Sequence, residues 1–201
     1  EDKLTLFSLS YLYAYRWKEL DKAIFYIEGA IKIDSTDAEL RRHHINILAE
    51  LNRCEEALYM TSYLPNDNLA DIYKSYSALR CLNRNTEAVL LLEKYQPTDQ
   101  NDQIDLLGLK VEMYTYLQDY NKALESVNEA LLLAPNKAAL YYNKVGILNS
   151  LGKVNEALMT SEEALELDTI ILYRQNSILN LNQGNYKLAL ERINKVLISE
   201  Y

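Results

Sequence analysis

The chain has 201 residues, of which 49% are hydrophobic and 25% are charged, so it carries enough apolar side chains to fold around a core. Five glycines and three prolines are too few for the frequent turns of an all-β protein, so the composition favours helices. The net charge of −8 argues against nucleic acid or anionic lipid as a partner, because both bind positively charged surfaces. No apolar run approaches the roughly 20 residues of a membrane-spanning helix, so we expect no insertion into a membrane.

A pair of alanines seven residues apart recurs along the chain, each time behind a short polar turn. The clearest pairs are, in chain order, Ala23 and Ala30, Ala123 and Ala130, and Ala157 and Ala164. Weaker copies centre on Ala57, Ala88 and Ala189, and the first alanines of the six copies are 34, 31, 35, 34 and 32 residues apart. A period of this length is typical of helical repeat arrays. We therefore predict one array over 1–201, with repeats at approximately 4–37, 38–68, 69–103, 104–137, 138–171 and 172–201.

Each copy predicts a pair of helices. In the fifth copy, Ala157, Leu158 and Ser161 follow Val154 at the spacing of one helix face. Gly152 lies just before this helix, where a left-handed residue would end the preceding one. All three prolines fall between copies and interrupt no helix; they are Pro65, Pro97 and Pro135.

The period, the two small packing positions and the glycine in the turn resemble the tetratricopeptide repeat. The resemblance is strong over 104–171, good over 4–37 and 172–201, and loose over 38–103. It implies an all-α fold, a right-handed superhelical solenoid of antiparallel helix pairs whose first helices line a concave groove. It also implies a protein-interaction scaffold, which binds a peptide or a helix of a partner protein in that groove.

The small residue that this family favours in the first helix is often missing here. A rigid alignment places larger residues at that position, namely Tyr11, Ile45, Tyr76, Val111 and Val145. The sequence therefore leaves two registers, one residue apart, for the first helices in copies one to three.

The resemblance also implies which side chains face the groove. They are Arg42, His43, Asn46, Tyr73, Lys74, Arg80, Glu112, Tyr142, Asn143, Asn149, Gln175 and Asn182. The four basic members in copies two and three can be interpreted as a patch that holds a carboxylate-bearing peptide, or as an ordinary solvated face. The amides in copies five and six can bond a peptide backbone, but the chain is rich in Asn throughout, which favours an ordinary surface.

No arrangement typical of catalysis, nucleotide binding or metal binding is present, so we expect no enzyme, no cofactor and no metal. His43 and His44 are adjacent, and adjacent helical side chains point about 100° apart, so they do not share a metal ion on one face. Cys54 and Cys81 fall on the same rim of the predicted stack. A disulfide between them is therefore one alternative, but free thiols are the favoured state.

The last predicted helix, 186–199, has more apolar residues than one buried stripe needs. They are Leu188, Leu190, Ile193, Val196, Leu197 and Ile198. Because repeat arrays need polar ends, we expect this face to be covered by a second copy of the chain, by a partner, or by a further helix.

The favoured function is a free-standing interaction scaffold in the cytoplasm that binds a protein or peptide. Two alternatives stay open. One is a regulatory segment of a larger enzyme or receptor, and the other is a periplasmic assembly lipoprotein of the pilus or outer-membrane type. The sequence does not identify the partner.

Overall fold

The computed structural model describes residues 2–167 and 170–199, and these residues form helices and no strands. The helices are α1 Lys3–Tyr11, α2 Leu20–Ile33, α3 Ala38–Glu50, α4 Cys54–Thr61, α5 Leu69–Cys81, α6 Asn85–Lys94, α7 Gln100–Tyr116, α8 Tyr120–Leu133, α9 Ala138–Ser150, α10 Val154–Ala164, α11 Ile170–Asn182 and α12 Tyr186–Ser199. A π-helical segment, Leu12–Trp17, continues α1, and a 3₁₀ turn, Leu165–Leu167, continues α10. The all-α fold of paired helices predicted from the sequence is confirmed.

The chain divides into two compact units, Glu1–Thr98 and Asp99–Tyr201. In the first unit α1 pairs with α2, α3 with α4, and α5 with α6, while α2 also packs on α3 and α4 on α5. In the second unit α7 pairs with α8, α9 with α10, and α11 with α12, while α8 packs on α9 and α10 on α11. Each unit is therefore a series of three hairpins stacked in chain order. The single array through both units stays a prediction.

One residue in the left-handed conformation ends the first helix of every described hairpin. These residues are Lys18, Asn52, Asn83, Gln118, Gly152 and Gly184, with φ between 57° and 77°. Glycine adopts this conformation without a Cβ clash and asparagine tolerates it, whereas lysine and glutamine are strained there. Each of these residues lies five positions before the first alanine of its copy, so the turns repeat with the period found in the sequence.

The alanines lie where the two helices of a hairpin meet. All six first alanines are buried, and so are Ala30, Ala130 and Ala164 at the second position. In the remaining three hairpins Leu64, Tyr95 and Val196 occupy that second position, and they are buried too. The small side chains thus allow close packing in most hairpins, and larger ones are accommodated in the others.

The register slip left open by the sequence occurs in the first hairpin alone. There Tyr11 is 54% exposed and Ser10 is fully buried, because the π-helical segment adds one residue before the turn. The Oγ of Ser10 donates a hydrogen bond to the carbonyl of Ala23 at 2.8 Å. In the second and third hairpins Ile45 and Tyr76 are buried at the positions that the rigid alignment gives them.

No helix among the described residues is long and apolar enough to cross a lipid bilayer.

Candidate functional site

Seven of the twelve predicted groove residues gather in two clefts, one in each unit. The α3–α5 cleft has a volume of about 290 Å³ and is lined by Asn46, Tyr73 and Lys74 of the predicted set. The α7–α9–α11 cleft has a volume of about 500 Å³ and is lined by four more, which are Glu112, Tyr142, Asn143 and Gln175. First helices of neighbouring hairpins line both clefts.

Lys74 is the cation of the α3–α5 cleft. Its Nζ donates a hydrogen bond to the Oδ1 of Asn46 at 2.5 Å, and this contact joins α5 to α3. Burial lowers the pKa of the Lys74 ammonium from its ordinary value, and the carboxylate of Asp71 acts in the opposite direction. The remaining wall of the cleft is mostly apolar and includes Ile45 and Ala78, with the hydroxyl of Ser77 as a polar exception.

The guanidinium of Arg42 forms an ion pair with a carboxylate of its own unit. Its Nε and Nη2 donate to the two oxygens of Asp71 at 2.6 and 3.0 Å, and Asp71 has no exposed surface. These bonds raise the pKa of the Arg42 guanidinium. Arg42 therefore joins α3 to α5, and its charge is compensated within the fold.

His43 does not lie on the exposed face where the sequence analysis placed it. It is only 5% exposed, and the rings of Phe7, Tyr11 and Tyr15 surround it as α1 packs against α3. Burial lowers the pKa of His43 to about 4, so the ring is neutral at pH 7 and adds no positive charge. Its Nε2 lies 3.0 Å from the Oγ of Ser10.

The remaining basic residue of the predicted patch, Arg80, lies at the end of α5. Its guanidinium donates to the Tyr76 hydroxyl at 3.3 Å and lies over the ring of the same residue. With His43 neutral and Arg42 paired, the four residues do not form one exposed basic patch.

The α7–α9–α11 cleft is lined by polar side chains, by two glycines and by the apolar Val111 and Ile147. The Nε2 of Gln175 donates to the backbone carbonyl of Tyr142 at 2.9 Å, which fixes the amide of α11 against α9. The Oε1 of the same amide is buried and has no hydrogen-bond partner among the described residues. Gly108 and Gly146 line the same cleft, and a Cβ built on either would meet nothing within 4 Å.

These two glycines are not among the groove residues predicted from the sequence. Both interrupt helical stripes, and a glycine inside a predicted helix is the signal that could have identified them. Two of the predicted amides, Asn149 and Asn182, lie outside the cleft in the last turns of α9 and α11, where they are exposed.

Cys54 and Cys81 form a disulfide, so the expectation of free thiols was wrong. The bond joins the first residue of α4 to the last residue of α5, with a Cα–Cα distance of 6.1 Å that is normal for disulfides. Both cysteines also line the α3–α5 cleft. The sequence placed them on the same rim, but it did not specify how closely the two hairpins approach.

The last helix exposes part of its apolar surface. Tyr186, Leu190 and Leu197 of α12 are exposed, whereas Ala189 and Val196 are buried against the rest of the unit. The side chain of Ile198, which belongs to the predicted apolar set, lies outside the described residues. What covers the exposed face of α12 stays a prediction.

Over 2–167 and 170–199, no three His, Cys, Asp or Glu side chains come together in a group that could hold a metal ion.

A family profile described as "Tetratricopeptide repeat" matches residues 5–37, 104–137 and 138–170. A search of curated protein sequences finds no match. The chain is similar in structure to a tetratricopeptide repeat protein from Parabacteroides merdae ATCC 43184, with 16% identity over 99% of this chain and 79% of that chain, and a TM-score of 0.68. It is also similar to YrrB, described as a TPR protein with an unusual peptide-binding site, with 19% identity over 85% of this chain and 90% of that chain, and a TM-score of 0.57. A third similar structure is the APC/C hetero-tetramer Cut9-Hcn1, with 15% identity over 98% of this chain and 40% of that chain, and a TM-score of 0.62. At such identities these likenesses concern the fold.

Proposed function

Because this chain belongs to the tetratricopeptide repeat family, we propose that it is a non-catalytic scaffold that binds a peptide or a helix of a partner protein along the first helices of its hairpins. The observation that carries this proposal is the α7–α9–α11 cleft, where four of the predicted groove residues line one cavity of about 500 Å³. Stacked hairpins expose long surfaces and few deep pockets, so binding is their natural use.

The chemistry of this cleft suits a polypeptide ligand. Asn143, Gln175 and Thr115 carry amide and hydroxyl groups that can bond the backbone of any peptide. The ring of Tyr142 offers an apolar face with a polar tip, which is common where proteins bind one another. YrrB, a similar fold, is described as having a peptide-binding site, and this supports the same use here.

The α3–α5 cleft is a second contact region in this proposal. The ammonium of Lys74 is close to an apolar wall, so the cleft suits a side chain with an apolar body and an acceptor at its end. It is smaller than the α7–α9–α11 cleft, and we assign it a supporting role.

The proposal can be tested with a displayed peptide library selected on the full chain. A photo-crosslinking amino acid is placed at Asn143 in the α7–α9–α11 cleft, and the matched control carries it at Asn155, which is exposed on α10. We expect selected peptides to crosslink at Asn143 and not at Asn155. Equal crosslinking at both positions, or a failure to select any peptide, would contradict the proposal.

A second candidate function rests on the disulfide. Disulfides persist in oxidising compartments and are rare in the cytoplasm. The Cys54–Cys81 bond therefore favours a periplasmic location, and with it the assembly lipoprotein over the cytoplasmic scaffold. Thiols can be alkylated in intact cells before lysis and the two cysteine peptides analysed by mass spectrometry. Alkylated thiols would remove this candidate, and disulfide-linked peptides would support it.

The apolar face of α12 is a further contact surface in the proposed scaffold. Leu190 and Leu197 are exposed on one side of this helix, and a second copy or a partner would bury them. Light scattering of the wild-type chain and of Leu190→Glu measures self-association directly. A monomer at high concentration in both cases would leave an unrelated partner as the occupant.

A further inference from the structure

The Cys54–Cys81 disulfide lies between two openings of the first unit. On one side both cysteines line the α3–α5 cleft. On the other side they line a second cleft of about 310 Å³, the α4–α5 cleft, whose other lining residues are Asn52, Arg53, Glu55, Glu56 and Leu82. Access is one of the factors that decide whether a disulfide exchanges with an external thiol. This bond is therefore placed where a thiol from solvent can reach it.

The two cysteines differ in access and in surroundings. Cys81 is exposed, whereas Cys54 is only 6% exposed, so an incoming thiolate reaches Cys81 first. Cys54 is the first residue of α4, where the partial positive charge of the helix end stabilises a departing thiolate. The Oδ1 of Asn52 lies 3.5 Å from the Cys54 Sγ and can accept a hydrogen bond once this thiol is protonated. These features favour attack at Cys81 and departure of Cys54.

The two openings also differ in charge. Among the described residues that line the α3–α5 cleft, Lys74 alone is charged, and its Nζ bonds to an amide oxygen, that of Asn46. The α4–α5 cleft holds one cation and two carboxylates, and its Arg53 is already paired with Glu56 at 2.6 and 2.5 Å. An anionic molecule is attracted by the first opening and repelled by the second.

We propose that Cys81 is a site of thiol–disulfide exchange with a small thiol that carries a carboxylate. This thiol enters through the α3–α5 cleft, where its carboxylate contacts the ammonium of Lys74. A cleft of about 290 Å³ is near the lower end of small-molecule sites, which suits a ligand of this size. The inference goes beyond the scaffold proposal and does not depend on peptide binding.

The exchange needs no further oxidant or reductant. The incoming thiolate sulfur forms a bond with the Cys81 Sγ, the Cys54–Cys81 bond breaks, and its electron pair leaves on the Cys54 sulfur, which takes a proton from water. One disulfide is consumed and one is formed. The reaction releases the covalent link between α4 and α5 and leaves the adduct on a residue of the α3–α5 cleft. Attack by the Cys54 thiolate on the mixed disulfide reverses it.

Peptide mapping tests which cysteine accepts the thiol. The oxidised full chain is mixed with 3-mercaptopropionate, quenched at early times with acid and N-ethylmaleimide, and digested with trypsin. Cleavage after arginine and lysine separates Cys54, in 54–74, from Cys81, in 81–84. We expect the mercaptopropionate adduct on 81–84 and the maleimide on 54–74. The opposite labelling, equal labelling of both peptides, or no adduct at all would overturn the inference.

The charge preference is tested with Lys74→Gln, which keeps an N–H donor for Asn46 but removes the charge. The thiolate of 3-mercaptopropionate has two negative charges, whereas that of 2-mercaptoethylamine has one charge of each sign. Comparing variant with wild type for each thiol cancels the intrinsic reactivity of the reagent. We expect Lys74→Gln to slow adduct formation by 3-mercaptopropionate roughly threefold or more and to leave 2-mercaptoethylamine nearly unchanged.

Lys94→Gln is the matched control, because Lys94 is exposed on α6 and does not line the cleft. It should change neither rate. Urea unfolding of both variants shows whether they remain folded, and the peptide mapping of the wild-type chain needs no variant. Equal slowing of the two thiols by Lys74→Gln, or equal effects of Lys74→Gln and Lys94→Gln, would refute the role of the Lys74 charge and with it the carboxylate-bearing thiol.

Discussion

Arg42 on α3 and Asp71 on α5 form a two-pronged ion pair at 2.6 and 3.0 Å, in which the carboxylate is fully buried and the guanidinium side chain is 29% exposed. This asymmetry sets the cost of breaking the pair. Removing the arginine leaves a buried, unpaired charge, whereas removing the carboxylate leaves a cation that water can reach.

We therefore expect Arg42→Met to lower the free energy of unfolding by about 3 kcal/mol, and Asp71→Asn to lower it by about 1–2 kcal/mol. Urea unfolding followed by circular dichroism measures both. Arg53→Met is the control, because Arg53 pairs with Glu56 on the surface, and the expected change is below about 1 kcal/mol. A loss for Asp71→Asn larger than that for Arg42→Met would contradict the assigned roles.

The Cys54–Cys81 disulfide closes a segment with a sequence separation of 27 residues and joins two neighbouring hairpins. Restriction of the unfolded chain by a loop of this length stabilises a fold by about 3 kcal/mol. We expect a reducing agent to lower the melting temperature of the wild-type chain. The double variant Cys54→Ser with Cys81→Ser should melt at the lower temperature with and without reductant. If reductant shifts the double variant equally, the effect does not come from this bond.

His43 makes stability depend on pH. Its folded pKa of about 4 lies below its ordinary value of 6.5, so between these pH values the unfolded chain binds more protons than the folded one. The contribution of His43 to the free energy of unfolding is therefore fully present above pH 6.5 and falls as the pH is lowered toward 4. Below pH 4 this residue causes no further loss. The expected loss between pH 7 and pH 5 is about 2 kcal/mol, from the cost of one pKa unit.

The neighbouring His44 acts in the same direction, because burial lowers its pKa as well; Glu28, Arg53 and Glu56 lie near it. Unfolding of the wild-type chain and of His43→Phe at pH 7, 6 and 5 measures the contribution of His43. The variant should lose less stability than the wild type over this range. Parallel pH profiles would show that His43 is not the titrating group. Asp34, whose folded pKa is about 2, loses its contribution below its ordinary value of 3.8, outside this range.

Substitutions at two equivalent left-handed turn positions should change stability in opposite directions. Gln118 has φ of 60° and Gly152 has φ of 74°, each at the end of the first helix of its hairpin. A side chain in this conformation costs about 1 kcal/mol, so Gln118→Gly should stabilise the chain and Gly152→Ala should destabilise it by about that amount. Nothing lies within 4 Å of a Cβ at Gly152, so contacts do not confuse the result. Thermal unfolding of both variants is the measurement, and shifts of the same sign would contradict this account.

The sequence specified the hairpins well, because the buried alanines and the left-handed turns follow one period. It did not locate the π-helical segment after α1, since this segment depends on how Ser10 meets the backbone of Ala23 and not on a local pattern. The burial of Asp71 could not be predicted from local sequence either. It depends on contact with Arg42 of α3, which lies 29 residues earlier in the chain.

The candidate site was predicted in part. Helical spacing placed Glu112, Tyr142, Asn143 and Gln175 on first helices, and the structure brings them into one cleft. The groove positions implied by the family resemblance do not tell an exposed side chain from one covered by a neighbouring hairpin, and so they included the buried His43.

The close packing at the first alanine of each hairpin can be tested by enlarging that side chain. Ala157 has no exposed surface and packs with Val145, Leu148 and Leu179, so there is no room for a larger side chain. We expect Ala157→Leu to destabilise the chain by about 1–3 kcal/mol through overpacking. The matched control is Ala139→Leu, the same change at an exposed position of α9, which should leave the melting temperature nearly unchanged. An equal melting temperature for both variants would mean that the first alanine does not set the distance between the two helices of a hairpin.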